Sequence, residues 1–233
     1  MENKSVIKKN RIEWIDIAKG IGIILVFFGH LSLPYDNPFY NNQSLNSMLV
    51  QSFHMGLFFF LSGYCFSEKD VKLSVFLNKK IKSLMIPWLS FTVIWVCFII
   101  LKDALIDNIF TVKNGLKVVA SFLIQNRLYA LWFLPCLFCL EILFYFLKKV
   151  TKNNLTIIVA FTLVLLVLGV IYRKTIDKNL IWSIDVIPTA LPFFVTGYSL
   201  KIKKINFNLN NNKRVSIILM IVAFLLLNQG LNA

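Results

Sequence analysis

Long apolar stretches, separated by short polar ones, dominate the pattern of hydrophobic and polar positions along the chain. A helix that rises about 1.5 Å per residue needs about 20 residues to cross the roughly 30 Å apolar core of a bilayer. A shorter apolar segment, 115–126, predicts an interfacial or re-entrant helix. The pattern predicts an all-α polytopic transmembrane helix bundle that forms a single membrane domain over residues 1–233. Seven stretches are the predicted spans: 14–33, 47–66, 84–101, 129–147, 155–172, 180–199 and 215–231.

Composition and charge agree with this pattern. With 58% hydrophobic and 15% charged residues, the chain is too apolar for an ordinary soluble domain. The net charge of +14 would favour nucleic-acid binding in a soluble protein. Here, 17 of the 25 Lys and Arg residues flank the spans on one side and 7 on the other, while Lys19 lies within the first span. The positive-inside rule therefore predicts a multi-pass membrane protein with a cytoplasmic N-terminus, a lipid partner and no nucleic acid.

The sequence contains no common metal or nucleotide motif. Cys136 and Cys139 form a C-x-x-C without a second Cys or His cluster, so they are interpreted as small apolar residues. P-loop, G-x-S-x-G and H-E-x-x-H patterns do not occur. We therefore expect no metal site and no disulfide framework. The remaining chemistry for an isolated histidine is general-base or nucleophilic transfer, and acyl transfer to a hydroxyl suits an imidazole.

Both histidines of the chain, His30 and His54, lie within predicted spans. Ionisable groups inside a membrane are costly, and each is a functional-site hypothesis. At about 1.5 Å per residue, both fall in the outer half of the membrane, on consecutive helices. They are candidate catalytic residues. The alternative is a pair of polar side chains that bridge helices by hydrogen bonds.

Three charged residues are predicted near the inner ends of their spans. Asp16 and Lys19 are three residues apart and can neutralise each other on one helix face. Glu141 lies at about the same depth as Lys19, so a Lys19–Glu141 contact between helices would let both charges coexist. At the outer side, Arg127 is followed by Tyr129 and Trp132. These aromatic residues fit an interfacial belt, or a surface on which a sugar could stack.

The end of the second span resembles the end of the sixth. LFFFLSGYCFSEK (57–69) and LPFFVTGYSLKIK (191–203) share Leu, two Phe, Gly and Tyr at matching positions. A small residue, a glycine and a tyrosine at a helix end allow close packing and interfacial anchoring. A duplication is the alternative explanation.

Several of these segments together resemble the acyltransferase-3 family of bacterial integral-membrane acyltransferases. In RIEWIDIAKGIGIILVFFGH, Asp16, Lys19 and His30 occupy the places of the family's Asp, Arg and essential His. Lysine keeps the charge of arginine but lacks its planar fork. SFHMGLFFFLSGY resembles the branch akin to fucose 4-O-acetylases, with His54 in the place of a second histidine. ALWFLPCLFCLE and LPFFVTGYSLK also resemble later segments of this branch.

The resemblance implies transfer of an acyl group, normally acetyl, from acetyl-CoA to a sugar hydroxyl of a cell-surface or lipid-linked glycan at the bacterial inner membrane. It implies His30 as catalytic base or acyl relay, assisted by His54, with no cofactor and no metal. Lys19 and Arg11 would meet the donor, and Asp16 and Glu141 would hold Lys19. The acyl group would reach His30 through a donor tunnel or by a relay. The candidate acceptor-binding residues are Arg127, Tyr129 and Trp132.

Two other classes of function fit the same features. A glycan or small-solute transporter or flippase would also use intramembrane charges and histidines. A non-catalytic sensor or scaffold is the other alternative, because family members usually have about ten spans and this sequence predicts seven. We therefore expect that the last spans of the family fold are missing.

Overall fold

The structure, a computed structural model, describes residues 13–30, 45–67, 70–106, 111–124, 130–176 and 178–203. Within these ranges the chain forms helices and turns and no β-strand, which confirms the predicted all-α fold. Eight α-helices are described: α1 (Glu13–His30), α2 (Leu45–Cys65), α3 (Leu73–Lys80), α4 (Ile86–Leu105), α5 (Val112–Ile124), α6 (Phe133–Val150), α7 (Leu155–Thr175) and α8 (Ile187–Ile202). A π-helical turn, Ile81–Met85, joins α3 to α4 without a break. Short 3-10 segments, Ala130–Trp132 and Ile181–Val186, precede α6 and α8.

Three helical segments of the described chain are long and apolar enough to cross a membrane: Leu73–Leu105, Leu155–Thr175 and Ile181–Ile202. They contain the predicted spans 84–101 and 155–172 completely and the span 180–199 from residue 181 onwards. The first of them begins eleven residues before its predicted start, because the lysine-rich turns that precede the apolar run are also helical. The predicted span 215–231 lies outside the described residues. The short helix predicted at 115–126 is α5, which begins three residues earlier and ends two residues earlier than predicted.

The chain divides into two compact units, and each is described by itself. In the first, the described helices are α1 and α2 as far as Ser62. A Cβ atom at Gly22 would lie 2.9 Å from Cζ of Phe58, so the glycine lets α1 and the Phe58 ring of α2 approach closely. Several apolar side chains of α1, such as Ile17 and Phe27, are more than 60% exposed. Such exposure is expected of a helix face that contacts lipid.

The second unit, Gly63–Lys203, has an aromatic core between α6, α8 and the residue that follows α2. The rings of Phe66, Phe144, Phe194 and Tyr198 lie with centroids 4.8–6.0 Å apart, mostly edge to face. All four are buried. Edge-to-face pairs of this kind stabilise a core beyond the area that they bury.

Glycines set two close helix contacts in this unit. At Gly63 a Cβ atom would collide with the backbone carbonyl of Phe194, and at Gly169 with the ring of Pro188. Gly63 and Phe194 are members of the two similar segments, so one residue of each segment meets the other at this contact. This contact supports the close-packing explanation of their shared residues. Tyr198 is fully buried within the protein, and its hydroxyl donates to Oδ1 of Asn153 at 2.7 Å. The predicted interfacial role of the tyrosines stays a prediction.

The helices on the outside of the second unit carry mainly exposed apolar side chains. In α4 only Trp88 and Thr92 are buried, and in α7 only Ile158, Thr162 and Gly169. Asn154 begins α7 as its N-cap, accepting from the backbone N–H of Thr156 and of Ile157. Exposed apolar faces of this width are expected of helices that are surrounded by lipid and not by water.

Candidate functional site

The structure locates the predicted histidines on their helices. His30 is the last residue of α1, and His54 lies within α2. The side chains of both histidines lie outside the described part of the structure, as do Arg11, Arg127 and Tyr129 altogether. Their roles stay predictions.

Asp16 and Lys19 are described on α1, where Asp16 is half-buried and Lys19 is exposed. Glu141 belongs to the second unit, and there its Oε1 accepts from Nζ of Lys80 at 2.5 Å. The pairing of Lys19 with Glu141 and of Lys19 with Asp16 therefore stays a prediction. In the structure Glu141 pairs with Lys80, a residue that the sequence analysis used only to orient the spans.

The Lys80–Glu141 pair is largely removed from water. The side chain of Glu141 is 4% exposed and that of Lys80 is 19% exposed. Nζ of Lys80 also lies 5.7 Å from the ring centroid of Phe66 and 5.8 Å from that of Phe76, within range of cation–π attraction. Oε2 of Glu141 has no hydrogen-bond partner among the described residues. This oxygen can accept a further hydrogen bond from a ligand or from water.

The π-helical turn, Ile81–Met85, follows Lys80 directly. Its wider winding changes which side chains face the neighbouring helix, and π turns of this kind are frequent at functional sites. Residues of this turn pack against α6, the helix that carries Glu141. Pro87, the second residue of α4, has no N–H and therefore cannot donate to a carbonyl of the π turn that precedes it.

A small cavity of about 20 Å³, enough for about one water molecule, lies beside this pair and forms the floor of a shallow cleft. Phe66 and Phe76, which flank Lys80, also line the cleft, together with Ser67, Asp70, Val71, Tyr145 and Lys148. Tyr145 stacks on Phe76 at 4.7 Å, and its hydroxyl donates to the carbonyl of Val71 at 2.9 Å. The cleft is therefore walled by fixed aromatic rings and has a buried lysine, Lys148, at its edge.

Lysines of several helix ends gather around this end of the second unit. Nζ of Lys201 donates to the carbonyl of Phe66 at 2.6 Å, so the end of α8 lies against the start of the 66–71 loop. The bond between Tyr198 and Asn153 joins α8 to the turn between α6 and α7. We call this end of the unit the lysine end. Its exposed members are Lys72, Lys79, Lys82, Lys149, Lys152 and Lys203.

The other end of α6 meets the 3-10 turn Ile181–Val186. Asp185 holds this turn: its Oδ2 lies 3.2 Å from Nη2 of Arg173, and its Oδ1 accepts from the N–H of Leu180 at 3.0 Å. Sγ of Cys136 donates to the carbonyl of Ser183 at 3.4 Å. Nε1 of Trp182 donates to the carbonyl of Leu123 at 2.9 Å. The turn is thus fastened to α5, α6 and α7.

The remaining predicted residues lie in ordinary surroundings. Trp132 is half-buried with its ring edge-on to Phe133 at 6.4 Å, and its proposed contact with a sugar stays a prediction. All four cysteines are free thiols, so Cys136 and Cys139 do not form a disulfide. Among the described residues, no group of three or more His, Cys, Asp or Glu side chains could hold a metal ion.

Comparison with known proteins gives one match. The family model described as an acyltransferase domain, that of the acyltransferase-3 family, matches residues 12–233, almost the whole chain. No curated protein matches the chain, and no solved structure does. The likeness to fucose 4-O-acetylases stays a prediction. Since the family model covers far more than half of the sequence and the helices can span a bilayer, the chain belongs to the acyltransferase-3 family and is a membrane acyltransferase.

Proposed function

We propose that the protein transfers an acetyl group from acetyl-CoA to a hydroxyl of a cell-surface or lipid-linked glycan. In this proposal it lies in the bacterial inner membrane with its N-terminus and the lysine end in the cytoplasm. Family membership supports acyl transfer, and the distribution of lysine supports the orientation.

The observation that carries the choice of donor is the lysine end. Coenzyme A carries several phosphate charges, and a surface rich in exposed lysines attracts such an anion and concentrates it locally. Lys79 and Lys82 are exposed beside Lys80, so they are free to contact phosphate in solution while Lys80 is held by Glu141.

His30 would remove the proton of the acceptor hydroxyl while its oxygen attacks the thioester carbonyl. A new C–O ester bond then forms, the C–S bond breaks, and the coenzyme leaves as a thiolate that takes up a proton. His54 would orient His30 or the acceptor. Arg11 and Lys19 would add positive charge on the donor side, with Asp16 keeping Lys19 in place. The Lys80 contact gives Glu141 a comparable supporting role within the second unit.

Radiolabelled acetyl-CoA, added to inverted membrane vesicles that carry the protein, tests the proposal. We expect label in the glycan fraction, released by mild base as acetate because the product is an ester. Glycan that crosses the membrane without any covalent label would instead indicate a transporter. A label that resists mild base would exclude O-acetylation.

Variants of two exposed lysines test the donor site by itself. Lys79→Gln with Lys82→Gln should raise the KM for acetyl-CoA about three- to tenfold, because each exposed charge contact contributes about 0.2–1 kcal/mol or somewhat more on a multiply charged ligand. The difference in this KM between the variant and the wild-type protein should shrink at high salt, and kcat should not change. The matched control is Lys113→Gln with Lys117→Gln, two exposed lysines of α5, which should leave this KM unchanged.

A further inference from the structure

A second group of side chains lies by the 3-10 turn, far from the lysine end. We call it the Trp88 cluster, and its members are Trp88, Thr92, Trp182 and Ser183. Trp88 and Thr92 are the buried residues of α4, one helical turn apart on the same face. The ring of Trp88 meets that of Trp182 edge to face at 6.0 Å, and Ser183 follows next in the chain, with 0% exposure.

Three polar atoms of the cluster have no hydrogen-bond partner within the described structure. They are Nε1 of Trp88, Oγ1 of Thr92 and Oγ of Ser183. Buried indole N–H and hydroxyl groups normally make a hydrogen bond, because a buried polar group without one destabilises the protein. Three such groups, on two segments that the Trp88–Trp182 ring contact joins, therefore indicate a ligand or water that completes them.

The hydroxyl of Thr92 differs from the other helical hydroxyls of the protein. Elsewhere a hydroxyl commonly donates to the carbonyl four residues earlier, at 2.6–2.9 Å, as in Ser90, Thr151, Thr162, Thr175, Thr196 and Ser199. Thr92 is as buried as Thr162, at 4% and 3% exposure, yet it lacks this bond. Its hydroxyl is thus available to another group.

Backbone strain coincides with these atoms. Trp182 (φ 55°, ψ 23°) and Ser183 (φ 53°, ψ 37°) both adopt the left-handed conformation, although neither is glycine. For a bulky residue such as tryptophan this conformation is unusual. Strain of this kind persists only where surrounding contacts impose it, and it is concentrated at ligand-binding and switching segments. The contacts of Cys136, Asp185 and Leu123 with the turn impose it here.

We propose that the Trp88 cluster is the acceptor site of the enzyme, that it binds a carbohydrate, and that the Trp182–Ser183 turn closes over it in this structure. The site rests on the proposed function, in which the acceptor is a sugar. Sugar hydroxyls both donate and accept, which matches one N–H donor and two hydroxyls, and indole rings pack against the C–H face of a sugar. The charged residue of the turn, Asp185, pairs with Arg173, and the unpartnered groups of the cluster are uncharged, so the site suits a neutral ligand.

Position and strain agree with this assignment. From Cys136, which contacts the turn, to Lys148, near the lysine end, α6 extends for about 18 Å at 1.5 Å per residue. The cluster therefore lies towards the predicted outer side, where a glycan would arrive. Because the three polar atoms are enclosed, the sugar enters when the turn moves. The left-handed strain at both residues favours that movement.

Three variants remove one unpartnered group each, namely Trp88→Phe, Thr92→Val and Ser183→Gly, and Thr92→Val also keeps the shape of the cluster. With p-nitrophenyl hexosides and 6-deoxyhexosides as acceptors, each should raise the acceptor KM roughly three- to tenfold, the worth of one buried hydrogen bond. The KM for acetyl-CoA should not change. The Tm should stay equal or rise in Thr92→Val, which deletes an unpartnered polar atom at nearly constant volume, and in Ser183→Gly, because glycine accepts the left-handed conformation without strain. It should fall in Trp88→Phe, because the smaller ring leaves a cavity.

Two matched controls separate this result from a general packing effect. Thr162→Val removes a buried hydroxyl that is already bonded to the carbonyl of Ile158, so it should lower the Tm and leave the acceptor KM unchanged. Trp95→Phe alters an exposed tryptophan of the same helix and should change neither quantity. An unchanged acceptor KM in all three cluster variants would overturn the proposal and leave a cluster completed by water only.

A measurement without catalysis distinguishes failure of this site from failure of the proposed function. Saturating glycoside should raise the Tm of the wild-type protein, and the rise should vanish in a Trp88→Phe, Ser183→Gly double variant. If the wild-type protein transfers no acetyl group, the proposed function fails, while a glycoside-dependent Tm shift that needs Trp88 still supports the site. Equal shifts in both proteins, or none in either, would exclude a carbohydrate site at this cluster.

Discussion

Replacement of Lys80 by methionine tests the buried ion pair of the second unit. Methionine keeps the length and the apolar stem of lysine but removes the ammonium that donates to Glu141 at 2.5 Å. The carboxylate of Glu141, whose side chain is 4% exposed, would then keep its burial and lose this partner. We expect Lys80→Met to be strongly destabilising for that reason and not because of lost volume.

The size of the effect follows from measured buried pairs. Removal of one member of such a pair costs about 3–5 kcal/mol, because the other charge stays buried without compensation. For a chain of this size that corresponds to a fall in Tm of roughly 6–20 °C. Replacing both members, with Lys80→Met and Glu141→Leu together, should recover most of the loss, since well-packed apolar residues in place of a buried pair are about neutral or stabilising.

Thermal unfolding in detergent, followed by tryptophan fluorescence, measures these differences. Lys79→Met is the matched control, because Lys79 is the exposed neighbour of Lys80, and its replacement should change stability by about 0.5 kcal/mol or less. The reasoning would be refuted by a Lys80→Met variant as stable as the control. It would also be refuted if the double variant lost the sum of the two single effects.

Three further predictions concern packing, the 3-10 turn and a helix end. Gly63→Ala should lower the free energy of unfolding by about 1–3 kcal/mol or more, because its Cβ atom would meet a backbone carbonyl of α8. Gly20→Ala is the control, because a Cβ atom there would have nothing within 4 Å, and it should be neutral or stabilising. Thermal unfolding compares the two variants. Arg173→Ala should cost about 1–3 kcal/mol and loosen the turn, which limited proteolysis would detect, because Asp185 stays buried; a turn that resists protease as in the wild type would contradict this. Asn154→Ala removes the N-cap of α7 and should lower stability by about 1 kcal/mol, and Asn154→Asp should restore it.

The helices were predictable from the sequence because an apolar run of about 20 residues has few alternatives in a membrane. The start of the Leu73–Leu105 segment was not, because its first turns carry lysines and lack the apolar signal. Hydropathy locates the apolar part of a helix and does not show how far the helix extends beyond it.

The side-chain partners were less accessible to sequence reasoning. Lys80 and Glu141 are 61 residues apart, and no local pattern predicts a contact over that separation. Trp182 and Ser183 adopt the left-handed conformation where no glycine or asparagine indicates it. The sequence did identify Glu141 as a charged residue within a span that needs a partner. The partner predicted for it, however, is not the lysine that it contacts in the structure.

Transfer of radiolabelled acetyl from acetyl-CoA to glycan, compared between wild-type protein and the His30→Ala variant in the same membranes, tests the central claim most directly. We predict base-labile label in the glycan with the wild-type protein. In the variant we predict a loss of about 100-fold or more, the usual contribution of a general base. Equal labelling by the two proteins would contradict the role of His30, and no labelling by either, with glycan still crossing the membrane, would contradict acyl transfer itself.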